Sequence, residues 1–468
     1  MNYKCTNCNE QIKSEKIEYK CPKCKGLLLI EPQKIDEINI QELKIEKGNF
    51  WKYYKFFPPI ENRFQISLGE GGTNCIKSKN LGKSFGLNNL FFKDETQNPT
   101  NSFKDRAGAL LVSHAKSQNF ENIICASPGN QGASIAAYSS YAGINCLNII
   151  PKRIDEGKRA QMYVYDSVVE IKGDTVDKSI IYAEKKAKEE NFYQATAELN
   201  PLTIEAQKTI GYEIIGDIGV PNWLIVPMGS GGCLISIWKG LNELKELGVI
   251  NELPKMVGAQ VEGWSPIVDK YSLKKHVESS LKVTHTLGIL VKNPRYKDLA
   301  AKIIKASNGE AITINENLIL TAERKLARSE GIFAEPASAL TVASVEQLKD
   351  QNIIDKNEKI CCLITGSGLK APYVLQALTH KSKTVGIGAL LSTKLKILQL
   401  IELDSMYGTQ IQKNLGDISL PAVYQHLSEL EIRDLIAREK KQEKRIYYNI
   451  TPKGKKVLEA IQTLVDLF

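Results

Sequence analysis

Apolar runs of strand length repeatedly stop at a glycine-bearing turn and hand over to helical spacing. This pattern constrains the fold more than any other feature. Ile123-Ile124-Cys125-Ala126 leads into Ser127-Pro128-Gly129-Asn130-Gln131-Gly132, and small residues at helical spacing follow over 133–142. Trp223-Leu224-Ile225-Val226-Pro227 leads into Met228-Gly229-Ser230-Gly231-Gly232 and a helix running to about Leu244. Cys361-Cys362-Leu363-Ile364 leads into Thr365-Gly366-Ser367-Gly368, and Leu147-Asn148-Ile149-Ile150 is a further run. Strands that alternate with helices predict an α/β fold with a mostly parallel sheet covered on both faces. Ligands of such sheets bind at the carboxyl ends of the strands, where these turns lie.

The chain has 468 residues, enough for two to four domains. Its 43% hydrophobic and 25% charged residues are those of a globular chain and exclude a disordered one. No run of eighteen apolar residues occurs, so no membrane span is expected. The first residues lack the apolar stretch of a signal peptide, and a cytoplasmic location is expected. The net charge of +9 admits anionic partners such as phosphorylated metabolites or nucleic acid without demanding either. Texture divides the chain into a cysteine-paired segment at 1–30, a strand–helix body at 50–385 and a mostly helical segment at 391–468.

Four of the ten cysteines lie in the first segment. Cys5-x-x-Cys8 and Cys21-x-x-Cys24 form two knuckles, each able to grip one ion from a tight turn. Four thiolates at tetrahedral spacing suit Zn²⁺ in a small zinc ribbon, with a rubredoxin-type iron centre as the rival. Four ligands leave no open position, so the role is structural. Cys75, Cys125, Cys146, Cys233, Cys361 and Cys362 sit in apolar surroundings and read as buried thiols of a reducing compartment.

Lys104 ends the stretch Asn98-Pro99-Thr100-Asn101-Ser102-Phe103-Lys104-Asp105-Arg106 and enters a predicted helix over 107–115. Ser102 or Asn101 can cap that helix. The positive end of the dipole then disfavours an ammonium and helps present the neutral amine that Schiff-base chemistry requires. Taken alone, such a lysine reads equally as a solvated residue. Gly229-Ser230-Gly231-Gly232 before a helix can cradle one phosphate, and alone reads equally as a plain tight turn. It lacks the Lys-Ser/Thr of a nucleotide loop.

Together these segments resemble the threonine synthases, within the tryptophan-synthase-β group of pyridoxal-phosphate enzymes. The resemblance runs from about Leu68 to about Ala377. It is carried by Leu68-Gly69-Glu70-Gly71-Gly72-Thr73, the Asn98–Arg106 stretch, Gly129-Asn130-x-Gly132-Ala133-Ser134, Glu205-x-Gln207-Lys208-Thr209, Glu335-Pro336-Ala337-Ser338-Ala339 and Thr365-Gly366-x-Gly368-Leu369-Lys370. It implies a two-lobed body and pyridoxal 5'-phosphate on Lys104, which also serves as the base. It implies that Asn130 bonds the ring hydroxyl, that Gly229, Ser230, Gly231, Gly232 and Cys233 hold the cofactor phosphate, and that Thr365 faces the pyridine nitrogen. Ser127 and Gln131 would bind the amino-acid substrate, and a homodimer is expected. The implied reaction turns O-phosphohomoserine and water into threonine and phosphate.

One departure bears on the substrate. The family commonly carries an arginine three residues after Asn200, and here Thr203 holds that place. Arginine grips a phosphate with two parallel bonds, and threonine cannot. Either Lys208, Arg153 or Arg159 takes over, or the substrate differs. A serine/threonine dehydratase or a phosphoserine-using relative is the alternative. The Gly that the family places between Thr100 and Ser102 is Asn101 here.

The last segment shows amphipathic spacing over 393–403, a second helix from Tyr407, and a third opened by Ser419-Leu420-Pro421. Residues 435–438 and 445–450 can pair as a hairpin, and a last helix starts at Thr451-Pro452. This is the order of a winged helix-turn-helix. Tyr424-x-x-Leu427 and Arg445-x-Tyr447-Tyr448-x-Ile450-Thr451-x-x-Gly454 resemble the PadR regulators. That reading puts the helix from Leu420 in the major groove of DNA and the turn near Lys441 on the backbone. From residue 391 onward twelve Lys and Arg face ten Asp and Glu, only +2. A dimerisation module therefore stands beside DNA binding. A regulator whose body senses pyridoxal phosphate or an amino acid, and acts through the winged helix, is the remaining reading.

Overall fold

The computed structural model describes residues 1–33, 35, 48–152, 154–273, 286–370, 387–415, 418–440 and 446–466. The chain divides into two compact units, Met1–Val374 and Leu375–Phe468.

The first unit opens with a three-stranded antiparallel sheet in which β1 (Asn2–Cys5) lies between β2 (Gln11–Lys13) and β3 (Leu28–Ile30). Its body holds two further sheets. One runs β8-β7-β6-β9, with β6 (Asn122–Ala126), β7 (Asn145–Ile150), β8 (Val168–Ile171) and β9 (Tyr193–Gln194) all parallel. The other runs β12-β11-β10-β13-β5-β4. It joins β5 (Asn89–Asp94), β10 (Trp223–Pro227), β11 (Lys255–Val261), β12 (Glu310–Ile314) and β13 (Lys359–Ile364) in parallel. Only β4 (Cys75–Lys77) is antiparallel, at the edge. Two parallel sheets give the two lobes expected of this α/β body.

Burial explains the runs. Every residue of β10 is buried, and so are all but the first of β13, as strands covered on both faces must be. Three helices are buried nearly all round: α2 (Lys104–Ser117), α3 (Asn130–Ala142) and α6 (Leu202–Ile218). α2 touches both of the others, and all three lie inside the body. Other helices cover the sheets with one face. These include α1 (Leu81–Phe85), α4 (Glu156–Val164), α5 (Val176–Glu189), α7 (Gly232–Glu246), α8 (Pro266–Tyr271) and α9 (Lys297–Ala306). In α10 (Glu316–Glu330) the buried residues are Ile319, Ala322, Glu323 and Leu326, a helical stripe packed on α11 (Pro336–Asp350).

The start of α2 corrects one expectation. Neither Ser102 nor Asn101 caps it; Phe103 is the cap residue and makes no side-chain cap bond. Asp105, inside the first turn, instead reaches back to the Thr100 amide and hydroxyl, both at 2.6 Å. Asn101 is left-handed, φ 60°. Asparagine tolerates that conformation better than other residues with a side chain.

Behind α2 lies a charge network with no solvent exposure. Arg106 Nε and Nη2 donate to Glu95 at 2.9 and 2.7 Å. Its Nη1 and Nη2 donate to Glu213 at 2.6 and 2.7 Å. Lys93 Nζ adds a bond to Glu213 at 2.6 Å and one to the Thr73 carbonyl. Burial alone would raise the Glu213 carboxyl, yet Arg106 and Lys93 hold it well below the usual carboxylate range.

The second unit contains α12 (Ile387–Leu403), β14 (Met406–Tyr407), α13 (Gly408–Leu415), α14 (Leu420–Ile432), β15 (Ile436–Lys440), β16 (Ile446–Ile450) and α15 (Pro452–Asp466). The sheet order is β14-β16-β15. Ile397, Ile401, Ile411, Val423, Leu427 and Leu430 meet in its core. Three helices, a hairpin and a closing helix make the predicted winged helix, with Pro421 in the first turn of α14. Tyr407, expected to open the second helix, pairs with Tyr447 as a strand, and the helix starts at Gly408. Lys441 and Arg445 lie outside the described residues.

Glu213→Ala leaves two buried cations short of a partner. We expect a loss of about 3–5 kcal/mol, read as a lower urea midpoint at unchanged slope. A change under about 1 kcal/mol would contradict the structural role of this network.

Candidate active site

A cavity opens where β6, β10 and β13 end. It is lined by Lys104 on α2, by the 127–131 turn after β6, by the 229–233 turn after β10 and by Thr365 after β13. The structure thus brings together Lys104, Ser127, Asn130, Gln131, Gly229, Ser230, Gly231, Gly232, Cys233 and Thr365. All of them were expected from turns far apart in sequence.

Desolvation lowers the basicity of Lys104, against the opposing pull of Cys233, Cys125 and Glu198. Its Nζ lies 4.6 Å from the centroid of the Phe103 ring. An amine so placed gives up its proton more readily than an exposed lysine, as a nucleophilic amine must.

The 229–233 turn has the form of an anion cradle. No side chain caps α7, so its first amides are not claimed by a capping group. Gly231 is left-handed at φ 91°, and a Cβ there would meet Ala300 Cβ at 3.0 Å and Ile267 Cδ1 at 3.3 Å. A side chain would be strained and crowded, so the turn keeps its bare backbone. Burial pushes the Cys233 thiol up to about 12, which keeps it a neutral wall.

Thr365 offers a hydroxyl to the opposite side. Ser338 Oγ lies 2.8 Å from Thr365 Oγ1 and accepts the Thr365 and Gly366 amides at 3.0 and 3.1 Å. Neutral hydroxyls therefore occupy this strand end. Asn130 bridges the lobes: its Nδ2 donates to Glu335 Oε1 at 2.6 Å, and Lys370 Nζ donates to its Oδ1 at 2.9 Å. Lys370 also reaches the Thr100 carbonyl at 2.6 Å. Burial lowers its ammonium to about 8 despite Glu335.

Ser127 Oγ accepts the Gly129 amide at 3.2 Å, and Gln131 Nε2 donates to the Ala195 carbonyl at 3.3 Å. Asp155 and Glu335 hold Lys158 between them at 2.9 and 3.0 Å. Glu198 lines the same cavity, and burial raises its carboxyl to about 7.

Lys208 is not part of this cavity and is corrected as a substrate-binding residue. Its ammonium is fully buried elsewhere, on Glu205 at 2.6 Å, Glu243 at 3.0 Å and the Phe56 carbonyl at 2.9 Å. Its place three residues after Glu205 on one helix already favoured that pairing. Thr203 sits buried in the first turn of α6, its hydroxyl without a hydrogen-bond partner. Arg159 is half-buried on α4, and Arg153 lies outside the described residues.

Sequence reasoning did not single out Lys158, Glu198, Ser338 or Lys370, nor Glu335 beyond its motif. Glu335, Ser338 and Lys370 stand inside family-like motifs and could have been found there. Lys158 and Glu198 carry no such signal.

In the N-terminal ribbon, Cys5 and Cys24 Sγ lie 3.4 Å apart and Cys8 and Cys21 Sγ 3.7 Å apart. All four Sγ fall within 4.8 Å of one another, a cluster able to hold a metal ion. Amides of Asn7 and Gly26 point at the Cys5 and Cys24 sulfurs, both at 3.4 Å. No helix among the described residues is long and apolar enough to cross a membrane.

The amine of Lys104, the bare-backbone turn and the neutral hydroxyl of Thr365 line one cavity at the strand ends, an arrangement suited to the aldehyde, phosphate and ring of pyridoxal phosphate. The family described as pyridoxal-phosphate dependent enzyme matches residues 66–366, and the PadR-like transcriptional regulator family matches residues 397–460. Threonine synthase of Methanocaldococcus jannaschii is 36% identical over 381 residues, covering 80% of this chain and 93% of that protein. Threonine synthase of Methanosarcina acetivorans is 35% identical over 379 residues, with the same coverage. This chain therefore belongs to the threonine synthase family and is a pyridoxal-phosphate-dependent lyase, with a PadR-like winged helix at its C-terminal side. Among solved structures, maize serine racemase superposes with a TM-score of 0.56 at 17% identity, over 66% of this chain and 92% of that one. A pyridoxal 5'-phosphate-dependent aspartate racemase gives 0.57 at 20%, over 73% and 99%. These two share the fold.

Glu198 generates a pH prediction. Its folded pKa of about 7 lies above the ordinary 4.5, so between those values the folded chain keeps a proton that the unfolded chain has lost. Stability therefore falls as pH rises through that window, by up to about 3 kcal/mol. Glu198→Gln removes this slope. Its melting temperature should gain on wild type from pH 4.5 to pH 7, and parallel curves would show that Glu198 titrates normally.

Proposed function

We propose that this chain is a threonine synthase in the strict sense, converting O-phosphohomoserine and water into threonine and inorganic phosphate. The observation that carries this is the half-buried Lys104, whose basicity desolvation lowers, lining one cavity with the 229–233 turn in a chain of this family. Bound pyridoxal phosphate supplies an electron sink for carbanionic charge at Cα and Cβ of the substrate. The remaining work falls to the chain. The amides of 229–233 hold the cofactor phosphate, Asn130 takes its ring hydroxyl, and Glu335 and Lys370 fix the orientation of Asn130. Thr365, oriented by Ser338, meets the ring nitrogen with a hydroxyl that supplies no acidic proton. Ser127 and Gln131 take the substrate carboxylate. Lys104 Nζ removes the Cα proton and later returns one there. One Cβ proton is removed, phosphate departs from Cγ with the C–O electron pair, a proton is delivered to Cγ to make the methyl, and water adds its hydroxyl at Cβ while its remaining proton is released.

A second reading has its own observation. Besides Lys104, the described lysine of the cavity is Lys158, already held by two carboxylates, and Glu198 adds a third acid. With Thr203 in the arginine's place, this lining favours a substrate without a dianionic leaving group, such as that of a serine/threonine dehydratase. Turnover decides between the two. O-phosphohomoserine, serine, threonine and O-phosphoserine are offered to wild type and Lys104→Ala. Threonine and phosphate released only from O-phosphohomoserine, and only by wild type, support the first reading. Keto-acid release from serine or threonine supports the second. Cofactor absorbance that responds to amino acids without turnover points to the regulator instead.

We place zinc on Cys5, Cys8, Cys21 and Cys24. Zinc–sulfur bonds of ~2.3 Å imply S···S separations of roughly 3.8 Å in a tetrahedron, close to the spacing of the two nearest pairs. Ten unpaired cysteines suit a reducing cytoplasm. The chain then has three parts, a ribbon at 1–30, a catalytic body at 50–385 and a winged helix at 391–468. We assign DNA binding to the winged helix on its fold, with α14 in the major groove. Because α14 holds no Lys or Arg, few phosphates are neutralised. Fluorescence anisotropy of the full chain on duplex DNA should therefore show a shallow salt dependence. Absence of binding at 50 mM salt would leave dimerisation as its role.

A further inference from the structure

The ribbon rests on the edge of the smaller sheet. The Tyr19 ring meets the Tyr193 ring edge-on, with centroids 6.3 Å apart, and the Tyr19 hydroxyl accepts the Gln194 amide at 3.2 Å. Lys20 pairs with Glu184, whose second oxygen is 3.8 Å from Arg295. Beside this contact lies a second cavity of about 660 Å³, apart from the cofactor pocket. The ribbon forms one wall, with Asn7 and Lys25. The other wall is α9 and its neighbours, with Lys270, Arg295, Lys302 and Lys305. Five described cations thus line it against one acid, Asp298, which is 2.9 Å from Lys270. Its hydrogen bond to Lys270, with Lys297 and Lys302 nearby, holds the Asp298 carboxyl below its usual range, as a positive field would.

Both walls continue into the cofactor site. On the α9 side, Tyr296 and Ala300 occupy the space against Gly231 and Gly232, the bare backbone of the phosphate turn. On the ribbon side, Gln194 Oε1 accepts the Thr196 amide at 3.0 Å, and Thr196 Oγ1 accepts the Ala126 amide at 2.8 Å. Thr196 lines the cofactor cavity and Ala126 ends β6. A ligand drawing the ribbon and α9 together would press on both.

We propose that this cavity is an effector site for a small polyanion, of the class of phosphorylated metabolites, and that its occupation adjusts the cofactor turn through Tyr296 and Ala300. Four of the cations lie together on the α9 wall, with Lys25 across the cleft on the ribbon. A concave cleft with cations on both walls suits a compact anion, whereas a nucleic-acid duplex meets a protein over a broad surface. This site is independent of which amino acid the enzyme consumes.

The test uses the full chain loaded with zinc and pyridoxal phosphate. Inorganic pyrophosphate and ATP are titrated by calorimetry into wild type, the double variant Lys302→Glu/Lys305→Glu, and Lys185→Glu on the exposed face of α5. Retained cofactor absorbance in each variant reports correct folding. The expected result is binding to wild type and Lys185→Glu, at least tenfold weaker binding to the double variant, and a shift of cofactor absorbance or fluorescence on binding. Equal affinity in the double variant would place the anion elsewhere, including the active site, and overturn the proposal. So would no binding of either probe, loss of DNA affinity alone in the double variant, or binding that leaves the cofactor spectrum unchanged.

Discussion

The site hangs on the buried guanidinium of Arg106. It forks onto Glu95 beside β5 and onto Glu213 in α6, while Lys93 closes the ring from β5. Taking four charges out of water is costly, and such a network gains little net stability over apolar packing. It gains a fixed geometry, because each carboxylate meets a planar fork in one orientation. Arg106 is two residues from Lys104 on the same helix. Locking the guanidinium sets the rotation of α2 and so the direction in which the Lys104 amine leaves it. The Gly72 and Thr73 amides bond the same Glu213, which draws the 68–73 segment onto the frame.

On that frame the electrostatics of the site are divided. Lys104 is in a part of the cavity where burial disfavours charge, and its amine is available. Thr365 and Ser338 keep one strand end neutral, and Cys233 stays a thiol. Charge is concentrated instead where the lobes meet, at Asp155, Lys158, Glu335 and Lys370. There Lys158 bonds Asp155 and Glu335, while Glu335 and Lys370 aim Asn130. A neutral reacting amine beside a paired ionic seam allows one cavity to hold both an organic ring and charged groups.

The parallel sheets, the winged helix and the turns that carry the site were legible because each depends on local sequence. A fully covered strand is apolar throughout, and a turn at its end shows its glycines. The cap of α2 was misread because two good capping residues precede it, while the bond comes back from Asp105. Lys208 was misassigned because a lysine in a familiar motif looks available; its neighbours Glu205 and Glu243 claim it, and Glu243 comes from another helix. Lys158, Glu198 and the seating of the ribbon on Tyr193 were invisible for the same reason. They are made by chain segments brought together by the fold, and no spacing records them. β14 was missed because two residues paired across a sheet leave no period.

The central claim is that this fold presents Lys104, and no other lysine, to the cofactor. Borohydride reduction of the holoenzyme fixes pyridoxal phosphate on the amine that holds it, and peptide mass spectrometry then locates the mark. The account predicts a single modified peptide, carrying the mark on Lys104. A mark on Lys158 or Lys370, or a protein that binds the cofactor and yields no marked peptide, would contradict it.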